Sequence, residues 1–96
     1  MNNKIVRVKV RYLATFWLAT NRKKEEEINL SKEANLKDLF NDLILRYKDE
    51  FKKRLFSDEG ILKPVWITVN GKQVTSLDTK LNHQDEITIG GVMTGG

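Results

Sequence analysis

Cysteine is missing from the 96-residue sequence, which removes both a disulfide framework and a thiolate zinc site and suits a reducing compartment. Histidine occurs once, at His83. One imidazole with the nearby Asp85 carboxylate is too small a ligand set for zinc, so His83 reads as a loop residue and no metal site is expected. Proline also occurs once, at Pro64. No GxxxxGK segment is present, so the chain lacks a phosphate-cradling loop of that kind. The longest apolar stretch near the start, Phe16-Trp17-Leu18-Ala19, falls far short of a bilayer span. Met1-Asn2-Asn3-Lys4 runs straight into a strand-like pattern without the apolar region of a signal peptide. No membrane partner is expected, and the cytoplasm is the expected location.

What is present is an ordinary globular composition with a basic balance. Hydrophobic residues make up 40% and charged residues 31%, and the length suits one modest core. The formal net charge of +4 gathers in clusters at Arg7, Lys9 and Arg11, at residues 22–24 and at residues 52–54. Such a balance favours an acidic partner surface or nucleic acid and does not choose between them.

Hydrophobic periodicity divides the chain. From Ile5 to Leu13, Val6, Val8, Val10 and Tyr12 alternate with Arg7, Lys9 and Arg11, the period-two pattern of a strand with one buried and one wet face. The basic face is open to two readings, a solvated sheet surface or a docking surface for an acidic partner. Residues 14–20 are apolar and are expected to pack under a turn at Asn21-Arg22. Residues 25–30 return as a second strand with Glu26, Ile28 and Leu30 on one side, completing a hairpin. Leu36, Leu39, Phe40, Leu43, Ile44, Tyr47 and Phe51 recur at spacings of three and four, which predicts an amphipathic helix. Asn35 is its N-cap, and Asp38 in the first turn suits both cap and dipole. Residues 52–56 either prolong this helix or follow as a tethered segment.

After Pro64, Val65-Trp66-Ile67-Thr68-Val69 is a β-prone run, and Asn70-Gly71 is a hairpin turn because both residues accept positive φ. Residues 72–74 return as a short strand and residues 85–89 close the domain. Trp17 and Trp66 read as core or hairpin packing. The predicted order is strand, strand, helix, strand, short strand, strand, with a sheet as the natural cover for the helix.

The sequence then ends in Gly90-Gly91-Val92-Met93-Thr94-Gly95-Gly96. Glycine lacks a Cβ, so a Gly-Gly end can pass through a channel too narrow for side chains, and the reactive group of such a tail is the α-carboxylate of Gly96. A carboxylate is ionised at neutral pH and is a poor electrophile. If the tail does chemistry, a partner with ATP must activate it. The alternative is an ordinary glycine-containing terminus.

Val69-Asn70-Gly71, Leu77-Asp78-Thr79-Lys80-Leu81, Asp85-Glu86-Ile87 and the terminal Thr94-Gly95-Gly96 resemble the ubiquitin-like sulfur carriers, as does the opening strand with Tyr12-Leu13-Ala14. These are the molybdopterin-synthase small subunit MoaD, the thiamine sulfur carrier ThiS, and the archaeal small modifiers and ubiquitin-related modifiers. The resemblance implies an α+β fold of the β-grasp (ubiquitin-like) type, a mixed sheet on one main helix with the first and last strands parallel. It implies a β-grasp domain over residues 1–89 and a flexible tail over residues 90–96. By this resemblance the chain is not an enzyme. It is a carrier whose Gly96 carboxylate is adenylated by a separate E1-like enzyme of the MoeB or ThiF kind, using ATP and magnesium, and then converted to a thiocarboxylate. Gly90, Gly91, Val92, Met93, Thr94 and Gly95 would enter the partner's active site. No side chain need be catalytic, and the chain itself is expected to bind no cofactor.

The sulfur would pass to a molybdopterin or thiazole precursor, or to tRNA through a thiolation enzyme, and a molybdopterin-synthase large subunit is a possible partner. Some relatives instead join target-protein lysines through the same glycine, and that modifier role is the alternative. A noncovalent basic module acting through Arg7, Lys9 and Arg11 is a third reading. Its RNA version is weakened by the lack of interleaved exposed aromatics on that strand, and direct nucleic-acid binding is not expected. Arg7, Lys9, Arg11, Leu13 and Val74 are the candidates for an E1-docking surface. Many molybdopterin-synthase subunits carry two prolines where this chain has Gly90 and Gly91. Glycines there predict a looser tail that costs more to order on binding, as suits a mobile carrier or modifier more than a standing complex.

Overall fold

The computed structural model of the chain describes residues 5–92. β1 (Ile5–Tyr12) obeys the alternation of its sequence: Val6, Val8, Val10 and Tyr12 are buried while Arg7 and Arg11 face solvent. The connection that follows contains an element the periodicity did not predict. α1 (Phe16–Ala19) is a single helical turn that buries Phe16 and Ala19. Asn21 and Arg22, with φ of 58° and 65°, then turn the chain into β2 (Glu25–Ser31), antiparallel to β1 with Val8 opposite Ile28.

α2 (Leu36–Leu55) opens on the expected cap. The Asp38 N–H donates to Asn35 Oδ1 at 3.0 Å and the Asn35 N–H donates to Asp38 Oδ2 at 3.0 Å, a reciprocal box that satisfies donors a helix end would otherwise orphan. Leu36, Leu39, Phe40 and Leu43 are buried and join the apolar face of the strands in one core. The residues after Tyr47 do prolong the helix, but across a break. Lys48 has φ 63° and ψ −147°, a region that costs a residue bearing a Cβ about 1–3 kcal/mol. Beyond the break Phe51 and Leu55 return to the core. Phe51 stands edge-on to Tyr12 and to Phe16, with ring centroids 6.2 Å and 5.7 Å apart.

β3 (Val65–Val69) and β4 (Lys72–Gln73) form the second hairpin around Asn70 and Gly71, whose φ values are 53° and 86°. β5 (Glu86–Val92) enters between β1 and β3, giving the order β2-β1-β5-β3-β4. It runs parallel to β1, with Val10 opposite Ile87 and Tyr12 opposite Ile89, and antiparallel to β3, with Ile67 opposite Ile89. First and last strands lie side by side within a mixed five-stranded sheet, with one main helix sharing its core. This is the β-grasp fold.

Side chains clip the head of β5 to the second hairpin. The buried Asp85 carboxylate accepts from Asn70 Nδ2 and from the Asn82 N–H, both at 2.8 Å. Asn70 also gives its own N–H to the Glu86 carbonyl at 2.7 Å and accepts the Glu86 N–H through Oδ1 at 2.9 Å. The Asn-Gly turn is therefore a clip as well as a corner. His83 is in a loop but tied down: its Nδ1 accepts the Arg7 N–H at 3.1 Å, standing in for a strand carbonyl where β5 has not yet begun.

Candidate functional site

The tail leaves the body at the other end of β5, which outlasts β1. Tyr12 lies opposite Ile89 and the Leu13 N–H still reaches the Ile89 carbonyl at 2.8 Å. Past that point the ladder continues with β3, where Val65 opposes Val92. Between the Ile67–Ile89 and Val65–Val92 pairs the register shifts, so that Gly90 and Gly91 together face Trp66, the two-against-one count of a β-bulge. A Cβ added to Gly90 would lie 3.2 Å from Trp66 Cβ, 3.6 Å from its carbonyl oxygen and 3.8 Å from Cγ. Gly90 is thus a buried close-approach glycine.

This corrects the expected boundary at residue 89. Sheet pairing carries on through Val92, because β3 starts at Val65 and still has two residues of ladder to offer, and because glycine lets the strands bulge past the indole. Gly90, Gly91 and Val92 belong to β5. Met93, Thr94, Gly95 and Gly96 lie outside the described residues.

Two apolar side chains flank the exit. Leu13 follows β1 on one side of β5, Trp66 lies on β3 on the other, and each is 45% exposed. The expectation that Trp66 is core or hairpin packing is corrected; the signal was in the alternation, since buried Val65 and Ile67 on either side of it force residue 66 outward. Trp17, by contrast, is partly buried against the core, with the Arg22 guanidinium 5.2 Å from its ring centroid. Val74 does not join Leu13. It packs against the core with its N–H on the Ile67 carbonyl at 2.9 Å.

Arg7, Lys9 and Arg11 share the outer face of β1, but β2 answers them. Arg11 Nη2 is 3.4 Å from Glu25 Oε1, Arg7 Nε donates to Asn29 Oδ1 at 3.2 Å, and Lys9 sits opposite Glu27 on β2 and Glu86 on β5. An exposed pair such as Arg11–Glu25 contributes under about 1 kcal/mol. Its effect on the surface is larger, because it removes the bare cationic strip the β1 sequence suggests when read alone.

The inward-facing acid of β2 is also satisfied. Glu26 Oε2 accepts from the Tyr12 hydroxyl at 2.6 Å and the Tyr47 hydroxyl at 2.5 Å, while Oε1 accepts from Lys23 Nζ at 3.3 Å. Burial works to raise its carboxyl pKa, but the bonds from Tyr12, Tyr47 and Lys23 outweigh it and hold the group below the ordinary glutamate value. Burial and then Glu26 push both phenols up. An acid so fully bonded fastens β2 to α2.

The ThiS family model matches residues 10–96, nearly the whole chain and through the terminal Gly-Gly. The chain belongs to the ThiS family. That family is one of small ubiquitin-like sulfur-carrier proteins. A Pyrococcus furiosus structure classed as molybdopterin converting factor, subunit 1, is 34% identical, with a TM-score of 0.75 over 92% of this chain and 99% of that one. Small archaeal modifier protein 1 of Haloferax volcanii is 16% identical, with a TM-score of 0.81 over 92% and 99%. Urm1 of Trypanosoma brucei is 19% identical, with a TM-score of 0.74 over 100% of both chains. The last two show a shared fold. No curated protein matches the sequence. Among the described residues no helix is long and apolar enough to cross a membrane.

Proposed function

We propose that this ThiS-family chain is a sulfur carrier, its Gly96 carboxylate adenylated by an E1-like enzyme and converted to a thiocarboxylate that delivers sulfur to an acceptor. The observation behind this reading is the setting of β5. A strand held by β1 as far as Ile89 and by β3 as far as Val92 leads into a short segment ending in Gly-Gly, and the family match includes that segment. A rigid body fixes where the tail begins, and glycine leaves room where it ends.

In the first step a Gly96 carboxylate oxygen attacks the α-phosphorus of ATP and expels pyrophosphate, with magnesium on the partner offsetting the phosphate charge. The acyl adenylate now carries a good leaving group. A hydrosulfide equivalent adds to the carbonyl carbon, AMP departs with the bonding pair, and a C-terminal thiocarboxylate remains. ATP and magnesium belong to the partner in this scheme, and this chain supplies recognition and the reacting atom. The Pyrococcus likeness supports a molybdopterin precursor as the acceptor and a molybdopterin-synthase large subunit as a second partner. The packing of Gly90 under Trp66 adds to that support, since it removes much of the looseness that two glycines suggest.

Mass spectrometry of the protein from its native cells tests the reading. A free chain heavier by the sulfur-for-oxygen difference, with the change confined to Gly96, is expected, and a chain lacking Gly96 should stay unmodified. No lysine or arginine follows Lys80, so a tryptic conjugate would leave residues 81–96 on a target lysine. That remnant, without the thiocarboxylate, would mark a modifier instead. A plain carboxylate after incubation with the E1-like enzyme and ATP would rule out both.

A further inference from the structure

The tail exit is electrostatically lopsided. Residues 93–96 span at most about 14 Å when extended, so an active site that closes on Gly96 brings its own rim within that distance of Val92. The partner surface must therefore meet whatever the body presents there. On the outer face of the sheet it meets Leu13 and Trp66. On the helix side α1 packs against β5, and Thr15, Phe16, Glu50, Lys53, Arg54 and Lys63 line an open cavity of about 600 Å³. Lys63 is two residues before Val65, the ladder partner of Val92.

Three cations meet one acid in that cavity. Glu50 is shared between Arg54 at 2.9 Å and Lys53 at 3.5 Å, while Lys63 Nζ donates to the Lys53 carbonyl at 2.7 Å and, among the described residues, brings positive charge without a carboxylate. The contrast with β1 singles this place out, since there each outward cation faces a glutamate or an asparagine. We infer that Lys53, Arg54 and Lys63 form a basic lip that receives carboxylate side chains at the mouth of the E1-like partner's active site. The inference rests on the carrier reading above and adds the chemistry of the surface that must come up against the exit. Complementary charge at an interface rim acts chiefly on encounter and is screened by salt.

The test uses the full-length chain with the E1-like enzyme of the same cells, ATP and magnesium, and reads initial rates of adenylation. For K53E/K63E the KM for the chain is expected to rise about tenfold at low salt with kcat unchanged, and the gap to wild type should close as salt is added. E50Q, which removes the one acid among the described residues of the lip, should lower KM. K32E/K37E carries the same charge change at the opposite end of the sheet, where Ser31 pairs with Ile5, and should change KM less than about threefold. K63Q keeps a donor toward the Lys53 carbonyl and replaces K63E if thermal melting shows that the latter does not fold. An unchanged KM for K53E/K63E, or equal effects of the two double variants, would overturn the lip. Binding of total tRNA that is lost in K53E/K63E would overturn it too, by assigning the lip to nucleic acid. A wild-type chain that is never adenylated would overturn the carrier reading itself, a result distinct from all of these.

Discussion

Tyr47 donates a hydrogen bond from its hydroxyl to the Glu26 carboxylate at 2.5 Å, and so ties the middle of α2 to the edge strand β2 one residue before the helix breaks at Lys48. Tyr47→Phe leaves Glu26 with Tyr12 and Lys23 alone. Hydrogen bonds to charged groups contribute about 1.5–3 kcal/mol, and a loss of that size should appear as a lower urea midpoint at constant m-value.

The same three side chains set a pH window. Glu26 is held below the ordinary glutamate value of 4.5 even though burial works the other way. Its contribution is therefore present above that value and is lost as pH falls through the depressed one. Tyr12 and Tyr47 are raised above the ordinary 10.0, so their contribution is present below that pH and is lost as pH climbs through their raised values. Urea midpoints should fall on both sides of neutrality, and Glu26→Gln should flatten the acid limb. An acid limb as steep in the variant as in wild type would assign the effect to other carboxylates.

Gly90→Ala places a Cβ 3.2 Å from Trp66 Cβ, a backbone-anchored atom with no flexible tip to move aside. Overpacking of this kind costs about 1–3 kcal/mol, and thermal melting should show it. In a Trp66→Gly background the same alanine should cost markedly less, since the opposing Cβ is gone. Equal costs in the two backgrounds would show that the strands do not meet there.

Lys48 is the reverse case, a side chain where the backbone suits glycine. With φ 63° and ψ −147°, Lys48→Gly should raise stability by about 1 kcal/mol through relief of strain. Were residue 48 regularly helical in solution, the same change would lower stability by a similar amount, so the sign of the shift decides.

The parts of the fold legible in the sequence are those settled by near neighbours. The Asn35–Asp38 box, the alternation of β1 and the Asn70-Gly71 corner each depend on residues a few positions apart. The break at Lys48 was not legible because the apolar spacing runs through it undisturbed: Tyr47 and Phe51 are four apart whether or not the backbone between them is helical. α1 is too short for its period to register. Gly90 and Gly91 look like the start of a tail until Trp66, far away in the chain, is set against them. The answer to Arg11 was likewise hidden in the run of glutamates at residues 25–27, which blurred the start of β2 while supplying the partner across it. At the exit, chain order told that a Gly-Gly end existed, and only the sheet told which side chains surround its root.

Because β5 lies between β1 and β3, tension applied to its C-terminal end runs along the strand. It loads the β3 ladder first, at Val65 and Val92, and from Ile89 inward the bonds to β1 as well. A partner that tugs on the tail while threading or releasing it therefore pulls along a strand paired to two neighbours, and the central strand serves the tail as an anchor.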